Sequence, residues 1–133
     1  KALAAGRAAA PDAASLAQSA APAGYEHRIV VKDGAAIRII PATDILYLEA
    51  ADDYVKIFVA GGKFLKKMTL ARAEAALDPQ RFVRVHRSFI IPVSGVARIE
   101  PYEKESHLAV LHSGARVPVS KAGLARLREV LRW

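Results

Sequence analysis

The segment Phe82-Val83-Arg84-Val85-His86-Arg87-Ser88-Phe89-Ile90-Ile91 sets two guanidiniums, an imidazole and a hydroxyl among apolar, β-favouring residues. Farther on, Val117-Pro118-Val119-Ser120-Lys121 repeats the arrangement: an apolar strand ends on a cation at the expected start of a helix. Cations exposed between short strands are the chemistry of phosphate and base-edge contact. Arg87 carries the planar fork that fits guanine O6 and N7, a contact worth ~1–3 kcal/mol of base discrimination. Ser88 can donate to a phosphate. Alternation with Val83 and Val85 predicts that Arg84 and His86 point away from the core. Lys121 in a first helical turn opposes the helix dipole, at a cost of roughly 0.3–1 kcal/mol. That placement makes sense if an anion sits at the helix start, where free N–H groups also attract phosphate. The same side chains would serve equally as ordinary solvated surface, with His86 bonded to a local carbonyl.

Two more cationic groups accompany these. The loop Ala51-Asp52-Asp53-Tyr54-Val55-Lys56 sets Lys56 beside an aromatic ring and two acids. The acids suit a turn, and Tyr54 fits either a packed or an exposed position. Lys63, Lys66 and Lys67 form a cluster just before a predicted helix. It fits phosphate contact, and equally an edge strand protected by charge against aggregation.

Short strands must position these groups. Arg28–Lys32 and Ala36–Ile40 are joined by Asp33-Gly34, a hairpin signal. Asp44–Ala50 and Tyr54–Ala60 form a second pair, with Leu46 and Leu48 expected to face Val55, Ile57 and Val59. Gly61-Gly62 leads into Lys63–Lys67. Thr69 is a helix cap for Leu70–Leu77, ended by Asp78-Pro79. Strands follow near Val83–Val85, Phe89–Val93 and Val96–Tyr102. The last should pair with His107–His112, and Ser113-Gly114 turns into Ala115–Val119. Ser120 caps a final helix over Lys121–Leu131, with Leu124, Leu127 and Leu131 predicted on its buried face. The expected fold class is mainly β: small stacked antiparallel sheets with two short helices.

At 133 residues, one folded domain over 25–133 is expected, after an Ala-rich stretch at 1–24 that reads as an interdomain linker or the end of an upstream helix. The net charge is +7 and the pI about 10.0. Eight Lys/Arg between Lys56 and Arg87 face only Glu74 and Asp78. Such an excess speaks to partners rather than to fold, and nucleic acid leads an anionic membrane surface. There is no cysteine, so disulfides and thiolate metal sites are excluded. No apolar run is long enough to span a membrane, no signal-peptide pattern is present, and a cytoplasmic location is expected. The chain starts at Lys1 rather than Met, so it reads as a piece of something longer.

Catalysis is not expected. His27, His86, His107 and His112 lack metal-ligand spacing. Glu100, Glu103 and Glu105 cluster around Lys104 in a turn-like, solvated segment. Ser88 and His86 are too close along a strand to form a triad. No cofactor is required, and no pocket with perturbed titratable groups is expected.

In its order of blocks the chain resembles the LytTR family of bacterial DNA-binding domains. The matching pieces are Asp44-Ile45-Leu46-Tyr47-Leu48-Glu49-Ala50, Asp53-Tyr54-Val55-Lys56-Ile57, Thr69-Leu70 with Leu77, the Phe82–Ile91 block, and Val117–Lys121. The resemblance implies an elongated stack of small antiparallel sheets whose loops enter successive major grooves. It implies the output domain of a response regulator in a two-component phosphorelay, C-terminal to a phosphate-accepting receiver domain. It also implies homodimers on paired repeats of double-stranded DNA. Carried over by position, base contacts fall on Arg87, Lys121 and the loop around Asp53–Lys56, within which Lys56 is the expected contact. Backbone contacts fall on Arg84, His86, Ser88, Lys66, Lys67 and Ser120. Lys121 departs from the arginine common there, Asp52-Asp53 makes the first loop acidic, and Pro92 stands where Asn is frequent. A basic protein-interaction module without sequence-specific DNA binding is the alternative reading.

Overall fold

The computed structural model describes residues 24–104 and 106–133. The expected connector over 1–24 therefore lies, apart from Gly24, outside the described residues. Among the described residues, ten strands form three antiparallel sheets, accompanied by two α-helices. Strands β1 (Arg28–Asp33) and β2 (Ala36–Pro41) make a hairpin. Its turn requires a left-handed residue, and Gly34 supplies it at φ +65° without a Cβ penalty.

The middle sheet has five strands: β3 (Ile45–Ala51), β4 (Tyr54–Val59), β5 (Gly62–Lys67), β6 (Phe82–His86) and β7 (Phe89–Pro92), in the order β5-β4-β3-β7-β6. Helix α1 (Leu70–Ala76) lies between β5 and β6 in sequence. Its expected cap is present: the Thr69 hydroxyl accepts the Arg72 amide at 3.1 Å. The third sheet, β10-β9-β8, contains β8 (Val96–Tyr102), β9 (Ser106–Leu111) and β10 (Arg116–Val119). Helix α2 (Lys121–Leu131) follows it.

The middle sheet separates two apolar cores. On one face Leu48, Val55, Ile57 and Ile90 pack with Ile29, Val31 and Ile40 of the hairpin and with Leu70, Ala73 and Leu77 around α1. On the other, Val83, Val85 and Ile91 pack with Ala109, Leu111, Val117, Val119 and Leu127. Full burial of a leucine such as Leu127 is worth about 1.5–3 kcal/mol, so α2 is held chiefly by this seam. Among the described residues, no further element covers the half of the second face formed by β4 and β5. By register it displays Tyr54, Lys56 and Phe58 with Lys63, Leu65 and Lys67. Tyr54 and Leu65 are exposed, which resolves the two readings of Tyr54.

Three expectations are corrected by the structure. A β-bulge at Leu46 shifts the register, pairing Ile45 with Val59 and Tyr47 with Phe58. Ile45 therefore takes the core position expected for Leu46, because one extra residue reverses the alternation beyond it. A second bulge, at Val85, pairs Arg84 with Ile90 but His86 with Phe89. The strict alternation is lost there, and Arg84 and His86 are both half-buried rather than pointing freely outward. Finally, Leu131 is 41% exposed. Helix α2 ends at once on Arg132 in the left-handed region, past the rim of the core, so only Leu127 is fully buried and Leu124 partly so.

Candidate nucleic-acid interface

Antiparallel pairing brings the β3–β4 turn, the β6–β7 turn and the start of α2 to one end of the molecule. Hydrogen bonds fasten the three together. The Ala50 amide donates to the Ser88 carbonyl at 2.8 Å, tying the first turn to the second. The Ser120 amide donates to the Val85 carbonyl at 2.8 Å, tying the second to the helix. The Ser120 hydroxyl donates to the same carbonyl at 3.2 Å and accepts the Gly123 amide at 3.0 Å.

Gly123 is what permits this approach. A Cβ there would lie 1.9 Å from the Val85 carbonyl oxygen. The sequence reading missed this residue: a glycine in the first turn of a helix is the only trace such a contact leaves. Ser120→Ala removes a cap and a strand contact together. It should lower stability by about 1–2 kcal/mol, measured by urea unfolding.

Arg87 and Lys121 are exposed at this end, and neither side chain is engaged in a hydrogen bond or ion pair among the described residues. Lys56 is half-buried on the open face, opposite Glu49 in register. Lys67 shares that face and is exposed. Lys66, one residue earlier, points to the other face, where its ammonium donates to the Val30 carbonyl. The structure thus brings Arg87, Ser88, Ser120 and Lys121 together and separates Lys66 from Lys67. Ser88 is half-buried. The His86 Nδ1 accepts the Ser88 amide at 3.1 Å, the reverse polarity of the carbonyl contact considered from the sequence. That bond leaves the ring proton on Nε2. The ring also meets Phe89 edge-on at 5.8 Å.

Arg84 is turned inward. One amino group meets Glu74 Oε1 of α1 at 3.3 Å, and the other donates to the Arg87 carbonyl at 2.6 Å. Its Nε is buried without a partner. Arg126 of α2 donates to the Arg84 carbonyl at 3.1 Å and stands 3.9 Å from Glu74 Oε2. Glu74, Arg84, His86, Arg87, Ser120, Ala122 and Arg126 line one shallow cleft of about 300 Å³. Glu74 and Arg126 were not singled out by the sequence, since their meeting depends on three separate elements.

Behind this end, Tyr47 stacks on Phe58 at 4.3 Å. Burial, reinforced by Glu49, raises the Tyr47 phenol above its ordinary pKa. On the third sheet, the hydrogen bond from Arg98 holds the Glu100 carboxyl below the usual carboxylate range, with Arg116 adding to the effect. Pro92 closes β7 opposite Phe82. The next amide, on Val93, donates to the Arg81 carbonyl at 2.8 Å, so the chain continues into a single 3-10 turn, Val93–Gly95. Among the described residues no His, Asp and Glu group of three or more is placed to hold a metal. No helix among them is long and apolar enough to cross a membrane.

Comparison with known proteins gives concordant matches. A family profile described as the LytTr DNA-binding domain matches residues 35–132. The CO-responsive transcriptional regulator RcoM of Rhodospirillum rubrum is 34% identical over 113 residues, covering 84% of this chain and 48% of that protein. The sensory transduction protein LytT of Bacillus subtilis is 26% identical over 106 residues, covering 80% of this chain and 44% of that protein. The chain thus spans less than half the length of these curated relatives. A solved LytTr DNA-binding domain from Bacillus cereus superposes with a TM-score of 0.73 at 28% identity. The match covers 81% of this chain and 99% of that one.

Proposed function

Because the chain belongs to the LytTr DNA-binding domain family, we propose that it reads a specific double-stranded DNA sequence through the two fastened turns and the start of α2, inserted into successive major grooves. The observation that carries this reading is the pair of unengaged cations, Arg87 and Lys121, on segments joined by the Ser120–Val85 hydrogen bond. Arg87 and Lys121 meet base edges. Lys56 approaches from the β3–β4 side, where Asp52 and Asp53 limit how many phosphates can be drawn in. Lys67, Ser88 and the Nε2–H of His86 contact the backbone. Arg84, Ser120 and Lys66 support the framework instead, since both amino groups of Arg84, the Ser120 hydroxyl and the Lys66 ammonium already have partners within the protein.

The whole protein is a transcriptional regulator in which a receiver domain precedes this one, acting in the cytoplasm within a two-component system. Homodimers then occupy paired repeats, and phosphorylation raises affinity by joining two binding units. A second reading of the upstream part, a sensor of another kind, is favoured by the 34% identity to a regulator named CO-responsive.

Selection of bound duplexes from a random pool tests the central claim. One recovered sequence family, retained in gel shifts against excess random duplex, is the expected result. Weak, sequence-blind retention would instead fit a basic module that meets an acidic protein. On the selected site, log K should fall linearly with log salt, with a slope of about −0.9 per phosphate neutralised. A flat salt profile would contradict backbone contact by Lys67 and its neighbours.

A further inference from the structure

Glu74 is an acid on the side of the molecule assigned to a polyanion. Removing an acid from such a surface ordinarily strengthens binding to DNA, because it removes a repulsion. The contacts of Glu74 argue for the opposite outcome. Its Oε1 accepts from the Arg84 guanidinium at 3.3 Å. The same guanidinium donates to the main-chain carbonyl of Arg87 at 2.6 Å. Arg84 is only 23% exposed and its chain is clasped from α2 by Arg126. Its main chain is thus held by α2, and its guanidinium lies between the Glu74 carboxylate and the Arg87 carbonyl. The bond to the Arg87 carbonyl is short, and hydrogen bonds between ionised groups are directional, so the carboxylate on α1, 3.3 Å away, sets the orientation of the arginine that holds the turn.

We infer that Glu74 is a specificity-determining positioning residue: through Arg84 it fixes the backbone of Arg87, and so the angle at which the Arg87 fork meets a base. The inference rests on the reading that Arg87 meets a base. Glu74 itself touches no DNA. The relay has three residues, Glu74 on α1, Arg84 on β6 and Arg87 in the β6–β7 turn, and each link is a contact between charged or main-chain groups rather than apolar packing.

Two neutral variants separate geometry from charge. Glu74→Ala removes the acceptor, at an exposed helical site where alanine is favourable. Glu74→Gln removes the charge but keeps an oxygen for Arg84. Each is measured in the full 133-residue chain with a duplex recovered from the random pool and a scrambled duplex of equal length. The expected result for Glu74→Ala is a loss of about tenfold in discrimination between the two duplexes, the size of one charge-assisted hydrogen bond. Its salt slope and melting temperature stay unchanged, and Glu74→Gln retains most of the discrimination. Equal behaviour of the two variants would overturn the inference, since only charge would then matter. So would a salt slope shallower by about 0.9 in Glu74→Ala, which would mean a lost phosphate contact. Arg87→Ala, measured alongside, separates the two levels. If it leaves discrimination intact, the base-reading assignment itself fails; if it abolishes discrimination while Glu74→Ala does not alter it, only the relay fails.

Discussion

Gly123→Ala is expected to lower the melting temperature by more than about 10 °C, the equivalent of roughly 2–3 kcal/mol or more for a domain of this size. At an ordinary helical position the same change stabilises, by about 1 kcal/mol, because glycine is the poorer helix former. Here the sign reverses for a steric reason. The new methyl would stand 1.9 Å from the Val85 carbonyl oxygen, 2.5 Å from its carbon and 2.7 Å from its Cα. These are main-chain atoms at the bulge of β6, flanked by the pairs Arg84–Ile90 and His86–Phe89 and bonded to Ser120. They cannot rotate aside as a side chain would. Relief requires α2 to lift, which uncovers Leu127 and stretches the Ser120 bonds. Thermal unfolding followed by circular dichroism measures the effect. A melting temperature at or above that of the parent chain would mean that the helix is not seated on this strand. Sequence-specific binding should fall together with stability, since the lifted segment carries Lys121.

Arg87→Ala should behave in the contrary way: no loss of stability, but a large loss of recognition. The side chain is exposed and has no partner among the described residues, so its removal leaves the fold intact. On the selected duplex the expected cost is ~1–3 kcal/mol, or about 5- to 150-fold in affinity, with preference relaxed at one base pair. Binding to scrambled duplex should change little by comparison. Arg87→Lys sharpens the test, because lysine keeps the charge but not the planar two-point fork. If the lysine variant discriminates as the parent does, charge alone acts at this position. Unchanged affinity and preference in Arg87→Ala would remove the residue from the interface.

Most of the architecture was readable because it is local. Asp33-Gly34 marks its hairpin, and Thr69 and Ser120 mark their helices, through interactions within four residues of the chain. The expected mainly β stack with two helices follows from such signals. What escaped has causes beyond that range. The bulges at Leu46 and Val85 break a period of two that a linear reading assumes throughout. The inward turn of Arg84 depends on Glu74, ten residues away on another element. Gly123 resembles any helix-weakening glycine until Val85 is brought beneath it. The distinction between Lys66 and Lys67 is a matter of strand parity. It was available in principle, but only once the register with β4 was known. The residues expected to meet DNA were found by type and by family resemblance. Which of them are already occupied inside the protein emerged only from the packed structure.

The fastening of the Ser88 and Val85 carbonyls to neighbouring segments also bears on retargeting. The main chain beneath positions 87 and 121 is set by bonds in which those two side chains take no part. Both positions can therefore be randomised as a library without disturbing the scaffold, and variants with new operator preferences should be recoverable as folded proteins. Grafting a single turn from a relative would fare worse, because each turn brings main-chain partners shaped for its own neighbours.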